Sequence, residues 1–245
     1  MSAVGTNGDR LTGTILSNAQ GPTHTGLYAG WIKATATPGG SNFAIQLFPS
    51  SEGSFITLEL RSSGGEKGFG SGQWGGSGGN SAASASAITQ NVWQHHAVFF
   101  DADAGFPNVY HYFNGTRATA GTSSPLTATQ ALDRLTLLDG GNLNAYTYLK
   151  GKFAEACGFR GASLSEADAI VTSLQTLTPD AVSLPGGVAL IFHYPLLSDA
   201  AGTAGPTLSD TGTVVYDSGD HPSLSGGGGG GSSAGFLLLT MDDEH

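Results

Sequence analysis

The chain is short of almost everything that usually carries chemistry or cross-links. It has one cysteine, Cys157, in 245 residues, so no internal disulfide can form. In the strand-like run from Phe153 to Phe159, that cysteine reads as a small buried hydrophobe. Nine Lys plus Arg stand against nineteen Asp plus Glu, a net charge of −10. Such a balance repels phosphate backbones and anionic lipid, which excludes nucleic-acid and membrane-surface functions. Charged residues make up only 11% of the chain, against roughly a quarter in ordinary soluble domains. Solubility therefore rests on hydroxyls, backbone and the acidic excess. No apolar run approaches the roughly 18 residues of a membrane-spanning helix. Met1–Arg10 is polar with no apolar stretch behind it, which predicts synthesis in a cytoplasm without a cleaved signal. The G-x-S-x-G, H-E-x-x-H, P-loop and C-x-x-C patterns are all missing. A chain of this length can bury roughly 70–75% of its surface and needs no covalent staple.

What is present is strand after strand. Leu27–Lys33, Phe43–Phe48 and Phe55–Arg61 carry the aromatic and β-branched residues or the period-2 alternation that mark strands. In the third, Ile56, Leu58 and Leu60 are expected to face the core, and Thr57, Glu59 and Arg61 to face out. Val92–Phe100 and Val109–Phe113 follow, the latter closed by Asn114-Gly115, the strongest short hairpin signal. Arg134–Leu138, Lys152–Phe159, Val188–Tyr194 and Thr213–Asp217 follow as further strands, and the expected total is about eleven to thirteen. The glycine-laden stretch Ser62–Ser86 carries so large an ordering entropy that it is expected to be a surface loop. One helix is expected: Ser163-Leu-Ser-Glu166 is a capping box, and Ala167, Ile170, Val171, Leu174 and Leu177 recur at helical spacing. The fold class is all-β, a two-sheet antiparallel jelly-roll sandwich with one short helix.

Several phrases, in order, resemble the laminin G-like jelly rolls of the concanavalin A-like superfamily. They are YAGWIK at Tyr28–Lys33, VWQHHAVFFD at Val92–Asp101, VYHYFNG at Val109–Gly115, GKFAEACGF at Gly151–Phe159 and LSEADAI at Leu164–Ile170. The match runs over Leu27–Leu177, and it implies that Trp31 and Trp93 fill the core. A later stretch, Gly187–Leu224, resembles a phrase that opens such domains, so it reads as a permuted edge or an incomplete second module. The sandwich is expected over 1–225, with a tether and tail over 226–245.

The resemblance also says what to seek. Hydrolytic members carry an E-x-D-x-x-E strand, one carboxylate as nucleophile and one as acid/base. No such triplet exists here, since Glu59 and Glu155 each stand alone in their strands, and Glu166 and Asp168 belong to a helix start. The expectation is a protein that is not an enzyme. Calcium is the family's usual cofactor. None is required by the sequence, but a rim site could be built from Asp101, Asp103, Asp139 and Asn142, which compete with that role as ordinary turn residues. His96 and His111 fall on adjacent strands as a diagonal pair, short of the ligands structural zinc needs. The loop aromatics Phe69 and Trp74 either fold back on the sandwich or are presented to a partner, and on the carbohydrate-binding reading they and Tyr146 stack on sugar rings.

Beyond Ser225 come six glycines, then Phe236, Leu237, Leu238 and Leu239, then an acidic end. A flexible tether ending in a strand-competent apolar run reads as an assembly tail, docking on its own sheet edge or on a neighbour. The expected function is a non-enzymatic structural or surface component of an assembled particle, most readily a phage virion decoration, fibre or tail protein. Its expected partners are further copies of itself and other particle proteins. The alternative is a carbohydrate-binding module recognising a glycan.

Overall fold

A computed structural model of the chain describes residues 10–13, 24–36, 41–48, 55–61, 67–73, 79–83, 88–104, 109–118, 132–138, 149, 151–196, 202–211, 220 and 222–225. The strands are β1 (Arg10–Gly13), β2 (Thr25–Ala34), β3 (Ser41–Phe48), β4 (Phe55–Arg61), β5 (Lys67–Gln73), β6 (Gly79–Ala83), β7 (Gln94–Asp101), β8 (Val109–Phe113), β9 (Thr116–Arg117), β10 (Arg134–Leu137) and β11 (Gly151–Arg160). Helix α1 (Leu164–Ser173) and a 3-10 turn at Pro179–Ala181 follow, then β12 (Ala189–Tyr194) and β13 (Leu208–Thr211). The strands form two sheets, ordered β13-β1-β10-β3-β4-β5-β6 and β12-β11-β2-β7-β8-β9. Their pairings are antiparallel.

Period 2 sorts the side chains into layers. Leu47, Ile56, Leu58, Leu60, Leu135 and Leu137 of the seven-stranded sheet meet Tyr28, Ile32, Val98, Phe100, Phe153, Phe192 and Tyr194 of the six-stranded sheet. Rings of that size fit because neighbouring strands present glycine. A Cβ at Gly30 would collide with the Phe153 ring, and one at Gly158 with that of Phe192. A second apolar layer lies outside the six-stranded sheet, where Ala167, Ile170, Val171 and Leu174 of α1 cover Leu27, Ala29, Ala97, Phe99, Cys157 and Phe159. Helix α1 opens on the expected capping box: Glu166 N–H donates to the Ser163 hydroxyl, and Ser163 N–H donates to the Glu166 carboxylate at 2.7 Å. Asp168 serves a different purpose, accepting from the Tyr112 hydroxyl at 2.8 Å and from Arg117 at 3.0 Å. The hairpin at Asn114-Gly115 takes φ of 45° and 80°, as its sequence predicts.

Three expectations need correction, and one open alternative is resolved. Trp31 and Trp93 do not fill the core; both are half-buried. Trp31 shares the pleat face of Leu27 and Ala29, opposite that of Tyr28 and Ile32. The stretch 62–86 is not wholly loop, since β5 and β6 lie in it. A continuous ladder from Arg61↔Lys67 to Phe55↔Gln73 bonds β5 to β4. These backbone bonds offset the glycine entropy, and the alternation Gly68, Gly70, Gly72 was the period-2 signal. Thr57 and Glu59 sit on the outer pleat face as expected, yet both are buried. They belong to a polar face whose register aligns Ser209, Thr12, Thr136, Gln46, Thr57, Ser71 and Ser81 in one row across all seven strands. Finally, β12 and β13 add an edge strand to each sheet, so the segment after α1 extends the same sandwich. Thr213–Asp217 lies outside the described residues.

Three histidines are buried at one end of β7 and β8. His96 and His111 face the inter-sheet space with His96 Nδ1 and His111 Nε2 3.4 Å apart. His95 and His111 are each pushed down to about 3 by burial, and His96 well below its ordinary 6.5 by burial and its histidine neighbours. The fold therefore refuses protons that the unfolded chain accepts below about pH 6.5. Stability should be full above that pH and fall as pH drops towards 3, by up to about 1.4 kcal/mol per histidine per pH unit. Urea titrations at about pH 7 and pH 4.5 check this. The midpoint should fall, and His111→Gln should flatten the dependence; an unchanged midpoint would contradict it.

Candidate functional site

Strand β2 is buried on both faces from Thr25 to Gly30, then alternates half-buried and buried from Trp31 to Ala34. The change marks a part of the sheet's outer face where side chains reach solvent. Register lays out what stands there. Trp31 lies between His95 of β7 and Ala154 of β11. Two residues on, Lys33 pairs directly with Lys152. On its other side, Gln94 pairs with Ile32, which brings Trp93 beside Lys33. Trp31 packs edge-on against the buried His95 ring at a centroid distance of 5.3 Å, which fixes its orientation.

Two ammonium groups directly opposite each other on a sheet repel. Asp220 resolves that conflict from far along the chain. Its Oδ2 accepts from Lys33 Nζ at 2.6 Å and Lys152 Nζ at 2.7 Å, and its Oδ1 from the Trp93 indole N–H at 3.0 Å. Partial burial acts to raise the Asp220 pKa, but the bonds from Lys152, Lys33 and Trp93 outweigh it and hold the carboxyl well below its ordinary range. Among the described residues the result is a patch of two aromatic side chains, two cations and one anion on the sheet. Sequence reasoning missed it because Trp31 and Trp93 were assigned to the core. The period-2 parity of Trp31 against Tyr28 was the available signal.

The residues expected to form sites are placed differently. Phe69 lies in β5, while its side chain, Trp74 and Tyr146 are outside the described residues. Asp101 and Asp103 share a turn: Asp101 Oδ1 accepts the N–H groups of Asp103 and Ala104, each at 3.0 Å. Both Asp103 oxygens take His24 Nδ1, at 3.0 and 2.9 Å. This half of the expected rim site is thus an Asx turn with a histidine clasp. Asp139, Asn142 and the tail residues Phe236, Leu237, Leu238 and Leu239 lie outside the described residues. Among those described, no three His, Cys, Asp or Glu side chains converge to hold a metal.

Glu155 is more elaborate than its sequence suggested. It sits at φ 54°, in the bulge where β11 slips register against β2 between Ala154 and Cys157. There its carboxylate accepts from His193 Nε2 at 2.6 Å, and in the tautomer this dictates His193 Nδ1 accepts the Thr203 hydroxyl at 2.7 Å. Glu59 is likewise buried, and accepts from Thr57 at 3.3 Å.

The architecture is that of a lectin-like β-sandwich. The chain belongs to the concanavalin A-like lectin/glucanases superfamily, whose sequence profile matches residues 13–166. No curated protein sequence matches it at a significant level. Among solved structures it is similar to the native heptameric SAP-like pentraxin of Limulus polyphemus, at 11% identity and TM-score 0.52, covering 84% of this chain and 93% of that one. It is also similar to a candidate carbohydrate binding protein of Bacteroides ovatus, at 14% identity and TM-score 0.53. That likeness covers 83% of this chain and 56% of the other.

The Asp220 hub makes a direct prediction. Asp220→Ala leaves Lys33 and Lys152 facing each other and should cost about 1–2 kcal/mol, or a few degrees in melting temperature. In that background Lys33→Met should recover part of the loss. A drop below about 0.5 kcal/mol, ordinary for a surface change, would contradict the hub.

Proposed function

We propose that this chain is a non-enzymatic glycan-binding module displayed on the surface of an assembled particle, with a phage virion decoration, fibre or tail protein as its setting. The observation that carries the glycan reading is the Trp31–Trp93 patch. Sugar rings stack their C–H faces on indoles, and their hydroxyls bond to charged groups held beside them. Trp31, Trp93, Lys33, Lys152 and Asp220 supply both kinds of contact on one sheet face. Indole rings left half-exposed retain apolar surface that a ligand can cover. The superfamily to which the chain belongs includes lectins, as its name records. Composition supports the particle setting, through a charge-poor Gly/Ser/Thr/Ala-rich chain and a tethered apolar tail.

Geometry supports the non-enzymatic part. Glycoside hydrolysis needs two carboxyl groups flanking one bond. Glu155 is committed to His193, and Glu59 is buried beside Thr57.

Three measurements check these readings. On a glycan array, Trp31→Ala and Trp93→Ala should fold normally and lose binding by at least about tenfold; wild-type binding in both variants would overturn the site. Incubation with β-glucans should release no reducing ends, and turnover abolished by Glu155→Gln would refute the non-enzymatic reading. Truncation after Ser225 should leave a folded chain that loses multimerisation or particle attachment. If the truncated chain assembles as before with unchanged stability, the tail has no assembly role.

A further inference from the structure

The glycan-binding reading leaves the chemistry of the sugar open, and the cradle around Asp220 narrows it. We infer that Lys33, Lys152 and the Trp93 indole form a carboxylate-binding site that Asp220 occupies as a resident stand-in, and that the group it stands in for is the carboxylate of an acidic sugar. This rests on the glycan-binding reading and adds the ligand class.

The cradle and its occupant come from different parts of the molecule. Lys33, Trp93 and Lys152 all lie within residues 13–166, the span that matches the superfamily. Asp220 lies outside it, 187, 127 and 68 positions away from them. The sandwich thus builds an anion site, and a distant segment fills it. Lys33 and Lys152 are a direct cross-strand pair, an arrangement of like charges that is unfavourable unless an anion lies between them. Donors reach both carboxylate oxygens, the two lysines at one and the indole at the other, as a bound carboxylate ligand would require.

Trp31 supplies the sugar platform. It lies two residues before Lys33 on the same face, about 6.6 Å away along the strand. A pyranose stacked there can direct an exocyclic carboxylate into the cradle. The net charge of −10 opposes a polyanion. The class is therefore a sugar with a single carboxylate, a uronic or sialic acid residue in an otherwise neutral glycan. Asp220 competes as a tethered group, at an effective concentration of order millimolar, so removing its charge should unmask the site.

The test titrates wild type and Asp220→Asn with glucuronate, N-acetylneuraminate, glucose and acetate, followed by tryptophan fluorescence. Asp220→Asn should bind glucuronate or N-acetylneuraminate at least tenfold more tightly than wild type does. Glucose should show no comparable gain, and Lys152→Met in the same background should abolish the gain for the acids. Equal affinity of folded Asp220→Asn and wild type for both acids overturns the inference. Acetate binding as tight as that of the acidic sugars also overturns it, because the site would then read a bare anion. If Asp220→Asn does not fold, the Trp93 indole N–H resonance of the wild type decides. It should shift with glucuronate and not with glucose, and no shift overturns the inference. Trp31-dependent capture of neutral glycans without preference for acids would remove this inference alone. Absence of any Trp31-dependent glycan capture would remove the reading beneath it.

Discussion

Helix α1 covers only part of the six-stranded sheet, and the layout of the molecule's surface follows from that. Beneath the helix, β2 and β7 are buried on both faces, packed between the inter-sheet aromatics and Ala167, Ile170 and Val171. A strand in that position must be apolar or glycine on both sides, as Leu27, Tyr28, Ala29 and Gly30 are. Past the helix the outer face opens, and β2 changes at Trp31 to alternating burial. The same strand thus anchors the core at one end and presents a surface at the other. Rigidity passes from one to the other without a loop between them, which favours a site whose geometry is fixed before a ligand arrives.

Buried polar groups also shape the six-stranded sheet. The register slip in β11 turns Glu155 towards His193, and His193 ties the segment at Thr203 and Ala204 back to β12. The backbone conformation at Glu155, φ 54°, is one that an L-residue adopts only when surroundings hold it. Glu155, His193 and Thr203 supply that hold at hydrogen-bond distances of 2.6 and 2.7 Å. At the other end, burial keeps His95, His96 and His111 neutral. Asp220 works on the outer surface by the same logic, since one carboxylate makes a lysine pair tolerable.

Local signals were legible in the sequence and long-range ones were not. Strand β4 runs from Phe55 to Arg61 as its alternation indicates, the capping box at Ser163 and Glu166 is formed, and Asn114-Gly115 turns its hairpin. Each depends on residues within a few positions of one another. Strand β5 was hidden because its alternating partner is glycine, whose composition argues for a loop while its register on β4 argues for a strand. Trp31 was misplaced because size suggests a core residue, and only parity against Tyr28 and Ile32 sends it outward. The Asp220 hub was invisible, because it joins positions 68 to 187 residues apart through pairings that no local pattern encodes.

The central claim is that ligand contact falls on the half-buried end of β2 and not on the glycine-rich stretch that carries Trp74. Oxidative footprinting of the three tryptophans, read by mass spectrometry with and without a bound glycan, tests it most directly. Trp31 and Trp93 should oxidise in the free protein and be protected when glycan is present, with Trp74 unchanged. Protection of Trp74 alone, or of none of the three in a sample shown to bind glycan, would contradict the account.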